Sequence, residues 1–317
     1  MPKKSPDPLA ATLSVDELVA LVPSWVIHLR AERKTEGTIG TYLKGINGYL
    51  AHCAEHDLAP LSRPNLESYT VALLDAGRTA TTAPTRMMPI RYLANWLLYE
   101  GEIETDPFGV IKAPKADEPI VPVLTDVQLR AFLAACKAPT GETTGLKSLR
   151  HRRDEAIIRL LFDTGMRVGE CINLTVDDVD YRQHNVATIR RGKGGKGRSV
   201  GFGPQTARAL DRYVRVRALH RLAATEALWL GDRGKGLAYG GVYYALNQRA
   251  ELAGIGEFHP HMLRHTSTDR WLAAGGSETG VIARNGWSSP AMLQRYGRAN
   301  REQRAIDESK RLNLGEL

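Results

Sequence analysis

The stretch IKAPKADEPIVPVLT, from Ile111 to Thr125, restricts more than any other feature how this 317-residue chain can fold. Pro114, Pro119 and Pro122 each fix φ and lack a backbone N–H, so neither a helix nor a central strand can run through them. With Lys115, Asp117 and Glu118 between the prolines, the segment reads as an extended linker. The chain is therefore expected to divide into a domain at 13–111, a linker at 112–122 and a second domain at 123–317. Each domain is long enough to close its own core. Charge divides at the same place. Met1 to Ile111 carries 10 basic and 13 acidic residues, a balance of −3, whereas Lys112 to Leu317 carries 33 and 22, a balance of +11. Attraction for a polyanion therefore belongs to the second part, with a solvated basic surface as the ordinary alternative.

Before the linker the pattern is helical. VDELVALVPSWVIHLRAER spaces its apolar residues by three and four, and TEGTIGTYLKGINGYLAHCAEHD follows with a threonine N-cap. RPNLESYTVALLDAG ends on a glycine suited to a C-cap, and TTAPTRMMPIRYLANWLLYEGEIETDPF places Trp96 and Leu97 on an apolar stripe, where core packing explains them. Four or five short helices without titratable clusters make a binding module rather than a reaction centre. After the linker, Thr125 or Asp126 can cap a new helix. HRRDEAIIRLLFDTGMRVGECINL reads as helix, glycine turn and helix, and VDDVDYRQHNVATIRRGKGGKGRSVGFG as two or three short strands about a glycine–lysine turn. The remainder reads as helices, and no internal repeat is visible.

Several function classes drop out here. No run approaches the ~18 apolar residues of a membrane span, and MPKKSPDPLAATLS lacks the apolar region of a signal peptide. Cys53, Cys136 and Cys171 have neither metal nor disulfide spacing and read as small buried residues in a reducing cytoplasm.

Chemistry concentrates in four places. Arg167 opens a helix just after Gly165, where backbone N–H groups and the helix dipole favour an anion, although a surface ion pair is the ordinary fate of such an arginine. Glu170 lies three residues on, on the same helical side, where it can orient Arg167 or a neighbouring histidine. RRGKGGKGRS falls short of a nucleotide-binding P-loop, because Arg198 stands where that pattern needs lysine; a β-hairpin carrying Lys193 or Lys196 into a DNA groove is the better reading. In HPHMLRHT, His259, His261 and His265 suggest a metal. No general-base glutamate lies between them, however, and Arg264 would repel a divalent cation. His261 and Arg264 are three apart on one helical face, able to meet one phosphate, while His265 reads as a structural helix residue. Finally, Trp287, an N–H donor that cannot exchange a proton, precedes Tyr296 by nine residues. Taken singly, a tryptophan or tyrosine is usually core. Together, a tyrosine hydroxyl, two guanidiniums, an ammonium, an imidazole and an indole make a metal-free site for a phosphodiester.

The order and spacing of Arg167, Lys193, His261, Arg264, Trp287 and Tyr296 resemble the tyrosine recombinases, the integrase family of site-specific DNA recombinases, over nearly the whole chain. H-x-x-R is the strongest short signature. The resemblance implies a mainly α fold with a small antiparallel β-sheet: an all-α core-DNA-binding domain, then an α+β catalytic domain with a C-terminal tail. It implies that Tyr296 is the nucleophile, Lys193 (the first lysine of the G-K-G hairpin) the general acid, Glu170 a supporting residue, and Lys196 and Arg198 DNA contacts. Trp287 stands where many members have histidine, an alternative found in several phage enzymes. Implied too are a clamp around duplex DNA, a 3′-phosphotyrosyl intermediate needing no cofactor, metal or ATP, and four protomers exchanging strands on paired attachment sites. A directionality or host accessory factor, a cytoplasmic location and docking of the tail on a neighbouring protomer belong to the same expectation; a cap on its own domain is the alternative for the tail. The first dozen residues are too few for the extra arm-site-binding domain of some phage integrases. Trp287 tilts the reading toward a phage or mobile-element integrase. A Xer-like dimer resolvase, a type IB topoisomerase and a non-catalytic DNA-binding regulator are the rivals.

Overall fold

The computed structural model describes residues 13–80, 82–111, 122–190, 197–232, 234–289, 293, 301–313 and 315. The chain divides into two compact units, Met1–Glu118 and Pro119–Leu317.

The first unit holds α1 (Val15–Ala31), α2 (Glu36–Glu55), α3 (Arg63–Asp75) and α4 (Thr82–Glu100). Local chemistry starts each helix. The Ser14 hydroxyl accepts from the Glu17 N–H at 3.3 Å while the Glu17 carboxylate accepts from the Ser14 N–H at 2.7 Å, closing a capping box on α1. Thr35 caps α2 by accepting from the Thr38 N–H at 3.2 Å. After α3, Gly77 takes φ +73°, a left-handed turn that glycine enters without a Cβ penalty. The apolar stripes meet around Trp25, Leu29, Ile46, Tyr49, Leu66 and Leu97. Trp96 and Leu97 are both buried in this core. Gly45 lets α2 lie against α4: a Cβ there would stand 3.0 Å from the Arg86 carbonyl oxygen and 3.0 Å from the Pro89 ring.

The second unit is organised on α6 (Leu149–Thr164), which packs against α8 (Pro204–Arg217) and α10 (His261–Ala273). It also contains α5 (Asp126–Ala134), α7 (Val168–Ile172), α9 (Tyr239–Leu252), α11 (Glu278–Asn285) and α12 (Arg301–Leu312). Thr125, not Asp126, caps α5, in a reciprocal box with Gln128. Strands β1 (Val179–Asp180), β2 (Val186–Ile189) and β3 (Arg198–Gly201) form one antiparallel sheet in the order β1-β2-β3, with Ala187 opposite Val200 and Ile189 opposite Arg198. Ala187, Ile189 and Val200 point into the core with Leu160, Leu161 and Tyr213. Leu124, just ahead of α5, is tied to α10 by its N–H, which donates to the Thr266 hydroxyl at 2.9 Å. The architecture is mainly α with one small antiparallel sheet. Among the described residues no helix is long and apolar enough to cross a membrane.

Candidate active site

The site grows from the point where α6 stops. Gly165 ends that helix with φ +63°, and a Cβ there would stand 2.7 Å from the Asn285 Oδ1. Two residues later Arg167, in extended conformation, is the N-cap of α7. Glu170, in the first turn of that helix, accepts from the Arg167 backbone N–H at 2.7 Å and from its Nη1 at 3.0 Å. Arg198 reaches the same carboxylate from β3, with Nη1 at 2.9 Å and Nη2 at 2.8 Å, while its Nε donates to the Arg284 carbonyl at 2.7 Å. Desolvation pushes the Glu170 pKa upward, but hydrogen bonds and charge from Arg198 and Arg167 outweigh it and hold the group down at about 2. Arg198, expected from the sequence to touch DNA, lies against the Glu170 carboxylate. Its planar fork is matched to that buried carboxylate and its Nε to a carbonyl, with only 11% of the side chain exposed.

Beside this pair opens a cleft of about 540 Å³ whose lining includes Arg167, Glu170, Tyr239, Tyr243, His259 and His261. His261 opens α10 and is exposed. Desolvation, then the neighbouring Arg264, His259 and Arg167, lower its pKa to about 4, so the imidazole is neutral at neutral pH and donates through one ring nitrogen only. His265, one turn on, is buried edge-on against it with ring centroids 4.9 Å apart. Desolvation, His261, His259 and Arg264 lower it to about 3.

Arg264, near His261, is not part of the cleft lining. Only 1% of it is exposed, and its Nη1 and Nη2 donate at 2.7 Å each to the carbonyls of Gly165 and Asn285. His261 and Arg264 do share a stretch of α10, but not as two surface residues side by side: one lines the cleft and the other is buried. Trp287 is also buried, packed with Val281 and Leu293, and the Arg264 guanidinium lies 5.5 Å from its ring centre. The turn that delivers Trp287 is fastened from below. Arg284 donates to the carbonyls of Thr164 at 3.0 Å and Asp163 at 2.6 Å, and Asn285 Nδ2 donates to the Thr268 hydroxyl at 2.9 Å. Gly286 then reverses the chain at φ +61°, where a Cβ would stand 3.0 Å from Arg198 Nη1.

Arg167, Glu170 and His261 thus line one cleft, Arg198 joins it through Glu170, and Arg264, near His261, packs on Trp287. Lys193, Lys196 and Tyr296 lie outside the described residues. Sequence reasoning missed Arg284 and Asn285, which fasten the turn before Trp287, and Tyr239 and Tyr243, which line the cleft. The available signal was the polar pair Arg284–Asn285 closing an otherwise amphipathic helix, and the i, i+4 tyrosines on α9.

Known proteins resemble this chain in both sequence and fold. Residues 122–303 match the phage integrase family and residues 22–101 the N-terminal SAM-like domain of phage integrases. A tyrosine recombinase XerC of Corynebacterium efficiens is 30% identical over 257 residues, 80% of this chain and 79% of that protein. The tyrosine recombinase XerC of Mycobacterium leprae is 32% identical over 270 residues, 83% of this chain and 88% of that protein. Among solved structures, XerH recombinase bound to palindromic difH substrate in a post-cleavage complex aligns with a TM-score of 0.68 at 16% identity, over 93% of this chain and 84% of that one. The Tn1549 transposon integrase in complex with transposon right-end DNA aligns with a TM-score of 0.68 at 17% identity, over 95% and 100%.

Proposed function

We propose that this chain, which belongs to the phage integrase family of tyrosine recombinases, exchanges duplex DNA strands with Tyr296 as nucleophile and the cleft beside α7 and α10 as the seat of the scissile phosphate. The observation that carries this is that Arg167 and His261, from separate segments, line one opening, with Arg264 buried near His261 and packed on Trp287. The Tyr296 hydroxyl gives up its proton to solvent as its oxygen attacks phosphorus, the bond to the 5′-oxygen breaks, and Lys193 supplies the proton that oxygen needs. Arg167 and neutral His261 donate to the non-bridging oxygens. Arg264 supplies positive charge from a buried position where little solvent screens it. Arg167 and the basic balance of +11 after the linker support a polyanionic substrate.

The partners follow as part of this reading: two duplex attachment sites, four protomers and an accessory factor that sets direction. A λ integrase tetramer bound to a Holliday junction shares this fold, which supports the multimer. Exposed Ile306 and Leu312 on α12 are apolar positions through which the tail would dock on a neighbour. Trp287 favours a phage or mobile-element integrase. Resolution of chromosome or plasmid dimers is the second reading, favoured by the names XerC and XerD among curated relatives. Supplied with two unlike attachment sites and, separately, with a plasmid dimer bearing identical sites, an integrase recombines the first pair and a resolvase the second.

Tyr296→Phe tests the chemistry. It is expected to bind site DNA normally and to yield no covalent protein–DNA complex on a denaturing gel. An adduct that persists in Tyr296→Phe would falsify the assignment of the nucleophile, and absence of any adduct from the unaltered chain on every candidate site would favour a regulator instead.

A further inference from the structure

We propose that Arg198 is a positioning residue that takes up the Glu170 carboxylate, leaving the charge of Arg167 to the scissile phosphate. The inference rests on Arg167 being a phosphate ligand, as read above. Glu170 Oε1 accepts from Nη1 of both arginines, at 3.0 Å from Arg167 and 2.9 Å from Arg198. Its Oε2 accepts from the Arg167 backbone N–H at 2.7 Å and from Arg198 Nη2 at 2.8 Å. The Arg167 guanidinium therefore makes one bond to the carboxylate, and the Arg198 guanidinium makes the parallel two-bond match. Three charges sit together, two positive and one negative, and the surplus positive charge is at the cleft. Arg167 keeps 27% of its side chain exposed there, against 11% for Arg198 and 6% for Glu170. Without Arg198 the pair that remains is neutral. A phosphate entering the cleft would then meet a guanidinium already compensated by a carboxylate screened from water.

Arg198 is built to stay. Its Nε is held on the Arg284 carbonyl at 2.7 Å, and the absence of a side chain at Gly286 makes room for its Nη1. A clasp needed only to hold β3 against α7 would not require a carboxylate shared with a second, cleft-lining cation. The sharing makes the arrangement electrostatic as well as mechanical. It also gives Glu170 a definite role. The carboxylate aims Arg167 through the backbone N–H and Nη1, and Arg198 prevents that aim from neutralising the arginine it orients.

The test uses the full-length chain in single-turnover cleavage of a nicked DNA site, with either an ordinary scissile phosphate or a methylphosphonate, which has one negative charge fewer. Arg198→Met is expected to slow cleavage of the ordinary phosphate roughly tenfold to a hundredfold, less than the ~10²–10³ typical for loss of a direct donor. The double variant Glu170→Gln with Arg198→Met removes one charge of each sign and is expected to recover most of that loss. On the methylphosphonate the penalty of Arg198→Met is expected to shrink, because a neutral group asks less of Arg167. Should Arg198→Met fold poorly, Arg198→Lys serves, since it retains charge without the planar fork and is expected to cleave faster than Arg198→Met. A double variant as slow as Arg198→Met, an equal penalty on both substrates, or a folded Arg198→Lys as slow as Arg198→Met would each overturn the proposal in favour of a purely mechanical clasp. Arg167→Ala is the control for the underlying reading. Normal cleavage by Arg167→Ala would remove the phosphate ligand itself, whereas loss of cleavage in Arg167→Ala with none in Arg198→Met would sink only the role of Arg198.

Discussion

The first unit buries Trp25, Leu29, Tyr49, Leu66 and Leu97 and, among its described polar residues, only Thr70, whose hydroxyl donates to the Leu66 carbonyl one turn back at 2.8 Å. The second unit buries Arg153, Asp154, Glu170, Arg217, Arg249 and Arg264 along with its aliphatic core. Each of those charges is answered. Asp154 accepts from Arg153 at 2.8 Å and from Arg249 at 3.0 Å, and Arg217 spends its guanidinium on the carbonyls of Ala223, Thr225, Ala227 and Leu228. Removing charges from water is expensive and is repaid only when every donor and acceptor is matched. On the proposed function, a helical unit that grips DNA by its surface has no reason to bear that cost. A unit that must hold cations rigidly against a crowded phosphate does, because a buried and fixed guanidinium needs no reorganisation as charge develops. The two units are therefore expected to fail differently.

Arg264→Ala should show the largest effect and is the sharpest way to break the comparison. It leaves two buried carbonyls without their donor, at about 1–3 kcal/mol each, and removes a charge whose catalytic loss is expected to be at least ~10²–10³ in cleavage rate. Calorimetry and suicide-substrate cleavage measure the two parts. A stability-neutral Arg264→Ala would mean the buried network does not support the fold.

Trp25→Ala probes the other kind of interior. Emptying a fully buried indole site should cost about 3–5 kcal/mol, and hydrogen exchange should report loss of protection across 13–111 while α6 and α10 keep theirs. Loss spreading evenly through both units would show that they unfold together.

A matched pair of glycines gives a smaller contrast. Gly77 and Gly165 take φ +73° and +63°, but a Cβ meets nothing within 4 Å at Gly77 and the Asn285 Oδ1 at 2.7 Å at Gly165. Gly77→Ala should cost only the left-handed strain, about 1–2 kcal/mol. Gly165→Ala should lower the melting temperature further and slow cleavage, since its carbonyl also accepts from Arg264.

Acid should loosen the second unit first. His261 and His265 have folded pKa values lowered to about 4 and about 3 by desolvation above all, against an ordinary value of 6.5. Between those limits the unfolded chain binds more protons, so stability declines as pH falls below about 6.5. Glu170 acts in the same direction at lower pH. Its folded pKa of about 2 lies below its ordinary 4.5, so its contribution is present above about 4.5 and is lost as pH falls toward 2. In the first unit His52 is also shifted downward, by desolvation above all. Hydrogen exchange corrected for intrinsic rates, taken from pH 7 to pH 4, should show α10 losing protection before α2. The reverse order would contradict the assignment of buried charge to the second unit.

Much of this was written locally. Ser14 with Glu17 and Thr125 with Gln128 announce their helices because a cap and its partner are three residues apart. The Arg167–Glu170 pair is legible for the same reason, and His261-x-x-Arg264 stands out through its resemblance to the family's short signature. Proline chemistry at 114, 119 and 122 predicts a break whatever the rest of the chain does. What spacing could not reveal is which partner a long side chain chooses. Arg198 stands in a basic, glycine-rich turn, where every local cue points to DNA. It faces instead a carboxylate 28 residues earlier and a carbonyl 86 residues later. Arg264 and Arg284 reach carbonyls 99 and 120 residues back. The sequence by itself determined the helices, the small sheet and the kinds of residue available for phosphate chemistry, because periodicity, capping and proline act over a few bonds. Only the tertiary structure decided which arginines face the cleft and which are spent on holding it, because a guanidinium is claimed by the nearest unsatisfied oxygen, and folding sets which oxygen that is.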